Sequence, residues 1–188
     1  AGRLVYVASN DTTVSSYSVG AQGALTGINS MSFGDSGFAR DIVVAPSGAF
    51  LHVPNGNGTI SIHSVDGGGV LSAGNLKDDG LSTLIGFAIA PSGQFAYAIT
   101  GTVGINVATY SVGNSGELAA VGGTSASGLY ALAVHPSGRF VYATDPTEDL
   151  VWSYEIDLTD GSISVQSDPV PSGREPAELT IVNLVSQS

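Results

Sequence analysis

The tripeptide Pro-Ser-Gly occurs at Pro46–Gly48, Pro91–Gly93 and Pro136–Gly138, each copy 45 residues after the last. A fixed period of that length marks a repeat architecture, in which each copy is one supersecondary unit. The copies continue alike. Gly48 leads to Phe50 and His52, Gly93 to Phe95 and Tyr97, and Gly138 to Phe140 and Tyr142, while Gly2 opens a fourth copy leading to Leu4 and Tyr6. Alternation of this kind is the period-2 pattern of a strand. A further strand follows at Val14–Val19, Ile60–Val65, Asn106–Val112 and Val151–Ile156, with Tyr17, His63, Tyr110 and Tyr154 in one column. Next comes a Gly-rich turn ending in Gly23, Gly69, Gly116 or Gly161, where glycine suits the positive φ of a tight hairpin. A weaker strand then starts near Leu25, Leu71, Leu118 and Ile163.

The most uniformly apolar runs are Asp41–Ala45, Gly86–Ala90, Ala131–His135 and Leu179–Val182, which read as innermost strands covered on both faces. No stretch sustains a 3.6-residue pattern. Four short-turned antiparallel strands per 45-residue unit make the blade of a β-propeller, so the expected fold is all-β with four blades over residues 1–188. The units are circularly phased. Glu178–Val182 is expected to supply the inner strand that the N-terminal blade lacks, so that the N- and C-terminal segments share one blade and hide two sheet edges.

Composition narrows the function. Hydrophobic residues are 43% of the 188, enough for a core, and charged residues only 11%, which argues against disorder. A net charge of −11 with one lysine and four arginines argues against nucleic acid and anionic membranes as partners. No run of apolar residues is long enough for a membrane-spanning helix. The absence of cysteine excludes disulfides, zinc–thiolate sites and thiol nucleophiles. With so little lysine and so much Gly, Ser and Thr, the chain is expected to be extracellular or periplasmic, with the cytoplasm left open. It starts at Ala1, so any leader is expected to have been removed or to lie outside this sequence.

The blades lack the Gly-His and Trp-Asp pairs of WD40 repeats; Trp152 is followed by Ser153. The unit from His135 through Pro136, Gly138, Phe140, Tyr142 and Asp145, then Val151 to Ile156 and the Asp160–Gly161 turn, resembles another group: the lactonase-type propellers of the 6-phosphogluconolactonase and YVTN-repeat family. The resemblance recurs in each unit and spans nearly the whole chain. It implies enzymes of seven blades and roughly twice this length. Three arrangements stay open: a compact four-bladed ring, a homodimer completing an eight-bladed ring, or the C-terminal part of a longer parent.

The resemblance also implies where chemistry would sit. Lactonases of the group carry a Pro-Arg-His segment entering an inner strand and an Asn-Glu pair after the next strand, both at the mouth of the central channel. Here these read Ala39-Arg40-Asp41 and Pro54-Asn55-Gly56, so arginine and asparagine are kept while histidine and glutamate are not. Arg174 similarly precedes the last inner run. An arginine pair at a channel mouth can hold a phosphate or carboxylate, which makes an anionic small molecule the expected ligand. The competing reading makes Arg40–Asp41 and Arg174–Glu175 rim ion pairs in polar loops.

His52 and His63 stand in aromatic columns and read as packing residues, and His135 precedes a turn. The carboxylates of Asp145 to Asp149 and of Lys77-Asp78-Asp79 lack the spacing of a calcium loop and read as solvated turns. Tyr130 lies level with the two arginines. The candidate ligand-binding residues are therefore Arg40, Asp41, Asn55, Tyr130, Asp145 and Arg174, with no metal and no cofactor called for. The main expectation is a binding or assembly module without catalysis. The alternative is a hydrolase of a sugar-acid lactone, a carboxylic ester hydrolase of the 6-phosphogluconolactonase type.

Overall fold

The computed structural model describes residues 3–32, 37–78, 80–101, 106–126 and 128–181. Gly2 and Val182, used in the repeat reading, and Asp79, in the acidic turn read at Lys77-Asp78-Asp79, lie outside them. Every regular element among the described residues is a strand. The first blade holds β1 (Arg3–Ala8), β2 (Thr13–Val19) and β3 (Leu25–Ser32). The second holds β4 (Val43–Val44), β5 (Phe50–Pro54), β6 (Thr59–Val65) and β7 (Leu71–Asp78). The third holds β8 (Leu84–Ile89), β9 (Phe95–Thr100), β10 (Val107–Val112) and β11 (Leu118–Thr124). In the fourth, β12 (Leu132–Val134), β13 (Phe140–Asp145), β14 (Leu150–Ile156) and β15 (Ile163–Val165) are joined by β16 (Val170–Pro171). Each sheet is an antiparallel meander, and β16 returns to pair with β14. The all-β, four-bladed architecture is the one the repeat implies.

The local chemistry matches the repeat. The anticipated hairpin glycines Gly23, Gly69, Gly116 and Gly161 have φ of 82°, 85°, 77° and 79°, a region that side chains with a Cβ resist. Opposite the tyrosine column the ladder shifts register, at Ser16/Tyr17, Ser61/His63 and Thr109/Tyr110. Such a bulge bends the outer strand and increases its twist. In the fourth blade the ladder breaks beside the same column: β15 ends at Val165, opposite Tyr154, and pairing with β14 resumes at β16.

The inner strands differ most from expectation. β4 is two residues long, because Asp41 Oδ1 accepts a hydrogen bond from its neighbour Ile42 N at 2.7 Å and diverts that donor from the ladder. Looser pairing continues upstream, through a bridge between Ala39 and Asn55 and a bond from Arg40 N to Pro54 O at 2.9 Å. β8 starts at Leu84, two residues before Gly86, across a bulge. Residues 179–181 form no strand, so among the described residues the first blade has three strands and the sheets are not closed into a ring.

The core lies between blades, because strand alternation gives each blade two buried faces. Leu51 and Val53 of β5 meet Val14 of the first blade. Ile60 and Ile62 of β6 meet Phe87, Ala96 and Tyr110 of the third. Tyr97 and Ile99 of β9 meet Val141, Ala143 and Tyr154 of the fourth. Each such large side chain contributes about 1.5–3 kcal/mol on burial.

Candidate functional site

A cleft of about 400 Å³ opens where the inner strands begin, lined by Arg40 and Asp41 before β4, Ile85 and Gly86 of β8, Tyr130 before β12, and Glu178. Its volume lies within the range of small-molecule sites. The blades themselves create it. Side chains entering neighbouring inner strands converge, and Gly86 keeps the wall thin: a Cβ there would lie 3.4 Å from the Tyr130 carbonyl oxygen.

Three of the six sequence candidates, Arg40, Asp41 and Tyr130, meet in this cleft. The Arg40 guanidinium carbon stands 4.5 Å from the centroid of the Phe38 ring, a cation–π contact that orients it. Asp41 has an exposed edge yet sits against the cleft wall. Its carboxyl is raised above the ordinary aspartate value, first by burial and also by the charge of Glu178, while its bond from Ile42 N opposes the rise. Tyr130 is 48% exposed, and its side chain also borders a shallower depression with Pro146, Thr147 and Glu175.

The other three candidates lie elsewhere. Asn55 is fully buried, donating from Nδ2 to Thr59 Oγ1 at 3.1 Å and Ser61 Oγ at 3.0 Å, which ties the loop between β5 and β6. Asp145 is also buried. Its Oδ1 accepts from Thr147 N at 3.0 Å and Glu148 N at 3.1 Å, closing the turn that the sequence offered as a solvated acidic loop. Arg174 is exposed in the segment after β16 and does not line the cleft. That segment is pinned beside it, where Glu175 N donates to Asp149 Oδ1 at 2.7 Å.

Glu178 is the cleft residue that sequence reasoning missed. The circular phasing assigned its segment to a ladder, whereas here it brings a second carboxylate to Asp41. The signal available in the sequence was the Glu-Pro-Ala-Glu run from Glu175 to Glu178, a charged and proline-containing stretch poorly suited to an innermost strand.

The histidines are outside the cleft lining. His52 and His63 are buried between blades, and both are lowered below the usual imidazole value, chiefly by burial, with His52 adding to the shift at His63. Neither ring nitrogen of His63 has a hydrogen-bond partner among the described residues.

The chain matches no protein-family model and no curated protein sequence. Solved structures do match its fold. A protein from Lactobacillus plantarum aligns with a TM-score of 0.78 at 17% identity, and a proposed 6-phosphogluconolactonase from Bacteroides uniformis with 0.78 at 15%. In both cases the match covers 94% of this chain and 57% of the other, so the chain spans little more than half their length. A periplasmic gluconolactonase from Pseudomonas aeruginosa aligns with a TM-score of 0.61 at 17% identity, over 97% of this chain and 71% of that one. With its four antiparallel blades and this likeness across almost its whole length, the chain has the fold of the lactonase-type β-propellers.

Proposed function

We propose that the cleft binds and hydrolyses a neutral sugar-acid lactone. The observation that carries this reading is the convergence of Arg40, Asp41 and Tyr130 with Glu178 in one cleft of a lactonase-type fold. Solved neighbours named for gluconolactonase and 6-phosphogluconolactonase support it over binding without catalysis. The non-catalytic reading drew its weight from the missing histidine. Asp41 answers that objection, because a carboxylate with a raised pKa is a stronger base than an ordinary one.

In the proposed reaction Asp41 takes a proton from a water that attacks the lactone carbonyl carbon. Arg40 faces the carbonyl oxygen as negative charge develops there. The ring C–O bond then breaks, and the proton held by Asp41 passes to the departing ring oxygen, leaving a hydroxy acid. Tyr130 offers its hydroxyl to the sugar. One cation and two carboxylates line the cleft, so a substrate with an added phosphate is disfavoured relative to its neutral counterpart.

The test is the rate of D-glucono-δ-lactone opening above the spontaneous background, for the chain and for Asp41→Asn and Arg40→Ala. Acceleration that both substitutions abolish supports the proposal. Binding without acceleration would return the cleft to a non-catalytic role, and preference for the 6-phosphorylated lactone would overturn the assignment of a neutral substrate.

A further inference from the structure

Tyr130 stands between two voids. One is the cleft that holds Arg40 and Asp41; the other is a depression of about 410 Å³ bounded by Tyr130, Pro146, Thr147, Glu175 and Ala177. The two are also joined along the chain, since Glu178 lines the first and its neighbour Ala177 the second. Both volumes fall in the range of small-molecule sites. Pro146 and Thr147 form the turn from β13 to β14, and β12 runs antiparallel to β13, so this turn and Tyr130 share one end of the fourth blade. The depression therefore opens at the end where the inner strands begin, beside the cleft, and not on a sheet face turned toward another blade.

Its walls are held without a ligand. Tyr130 N donates to Thr144 O at 2.9 Å, and Thr147 N donates to the buried Asp145 carboxylate at 3.0 Å. Opposite them Glu175 keeps a φ of 50°, a region that residues with a Cβ seldom adopt. Its N–H is held by Asp149 Oδ1 at 2.7 Å, and Ser172 N donates to Asp149 O at 2.8 Å. These bonds to one residue tie the 172–175 segment against the 145–149 turn and maintain the unfavourable conformation. A site whose walls are fixed in this way binds without a large ordering cost. The lining itself suits a sugar. The Tyr130 and Pro146 rings and the Ala177 methyl group offer an apolar surface to the C–H face of a pyranose, while Thr147 and Glu175 add a hydroxyl and a carboxylate for its hydroxyl groups. None of the five lining residues is cationic, so an anionic group gains no partner there and meets the charge of Glu175.

We infer that the depression is a subsite for a second, uncharged hexose carried at O4 of the lactone, so that the substrate class is a disaccharide aldonolactone. This rests on the lactone-hydrolase reading of the cleft, which fixes the direction. Arg40 and Asp41 enter the cleft from the second blade and Tyr130 from the fourth, with Gly86 of the third between them. With the C1 carbonyl held at Arg40 and Asp41, C4 lies across the six-membered ring and faces Tyr130. A substituent at O4 then passes Tyr130 into the depression. The Tyr130 hydroxyl serves the lactone ring, and its ring face carries the second sugar.

The experiment compares cellobiono-δ-lactone with D-glucono-δ-lactone as substrates, and cellobiose with glucose as ligands that are not turned over. For the unsubstituted chain, kcat/KM is expected to be about tenfold or more higher for the disaccharide lactone, with cellobiose binding about tenfold tighter than glucose in calorimetric titration. Ala177→Trp fills the depression from an exposed position, and at unchanged circular dichroism it is expected to bring both ratios toward one. Thr147→Trp, exposed on the opposite wall, is a second occluding variant with the same expectation. Equal kcat/KM for the two lactones, with no preference for cellobiose, would keep hydrolysis and overturn the subsite. Preference for cellobiose that both variants abolish, without acceleration of either lactone, would keep the sugar subsite and overturn hydrolysis. A disaccharide preference that survives both variants would overturn the inference, because the second sugar then lies elsewhere.

Discussion

His52 of the second blade reaches Gly116 in the hairpin of the third, its Nε2 lying 2.8 Å from the glycine carbonyl oxygen. One joint on, Tyr97 makes the same contact to Gly161, so a histidine fills a tyrosine position because both rings carry a donor at their far tip. Replacement by phenylalanine keeps most of the ring and removes the donor. His52→Phe is therefore expected to lose about 1–2 kcal/mol in urea unfolding, with His52→Tyr less affected.

Acid should weaken the fold between the same two blades. His52 and His63 have folded pKa values below the unfolded value of about 6.5, so the folded state favours their neutral forms. Stability is fully present above the unfolded pKa and is lost as pH falls from there toward the folded values. His63, with no partner among the described residues, is replaced by tyrosine in the equivalent columns. His63→Tyr is expected to flatten the pH dependence measured by unfolding between about pH 7 and 5. An unchanged slope would show that His63 does not drive it.

The hairpin glycines separate backbone strain from steric conflict. Gly23 and Gly116 share a positive φ, but only at Gly116 does an added Cβ meet an aromatic ring, that of Phe50. Gly23→Ala is expected to lose about 1 kcal/mol from the backbone alone. Gly116→Ala is expected to lose a further 1–3 kcal/mol, roughly the penalty of overpacking a filled site. Chemical denaturation of the two variants reads the difference.

Asp41 should separate activity from stability. Its folded pKa is raised, so its ionised form is disfavoured in the fold, and removing the charge is expected to leave unfolding stability unchanged or higher. Under the proposed mechanism Asp41→Asn abolishes lactone hydrolysis. In the unsubstituted chain the rate falls as pH drops through the raised Asp41 pKa, because the base is then protonated. Calorimetry together with a pH–rate profile tests both expectations.

A tyrosine test concerns the fourth blade. The Tyr154 hydroxyl is buried without a partner among the described residues, and its pKa is pushed up to about 12, by burial and then by the charge of Asp145. Tyr154→Phe is expected to be neutral or slightly stabilising, since it removes a desolvated hydroxyl and keeps the ring. A loss beyond about 1 kcal/mol in urea would point to a hydrogen bond for that hydroxyl.

The sequence alone determined the blade. Its 45-residue period, the strand alternation and the hairpin glycines at Gly23, Gly69, Gly116 and Gly161 are local signals, fixed by backbone sterics within a few residues, and each appears where the repeat placed it. Arg40, Asp41 and Tyr130 were legible as a group because Arg40 and Tyr130 hold the same position of their copies, 90 residues apart, and Asp41 follows Arg40 directly. What the tertiary structure decided was the use of residues outside that periodicity. Asn55 and Asp145 read as exposed polar candidates, yet both side chains turn inward, Asn55 donating to two hydroxyl oxygens and Asp145 accepting from two backbone N–H groups. Glu178 entered the cleft through the path of a segment whose ladder does not form over 179–181. A repeat specifies how neighbouring blades meet. How the last segment reaches the cleft depends on contacts distant in sequence, where nothing local marks the outcome.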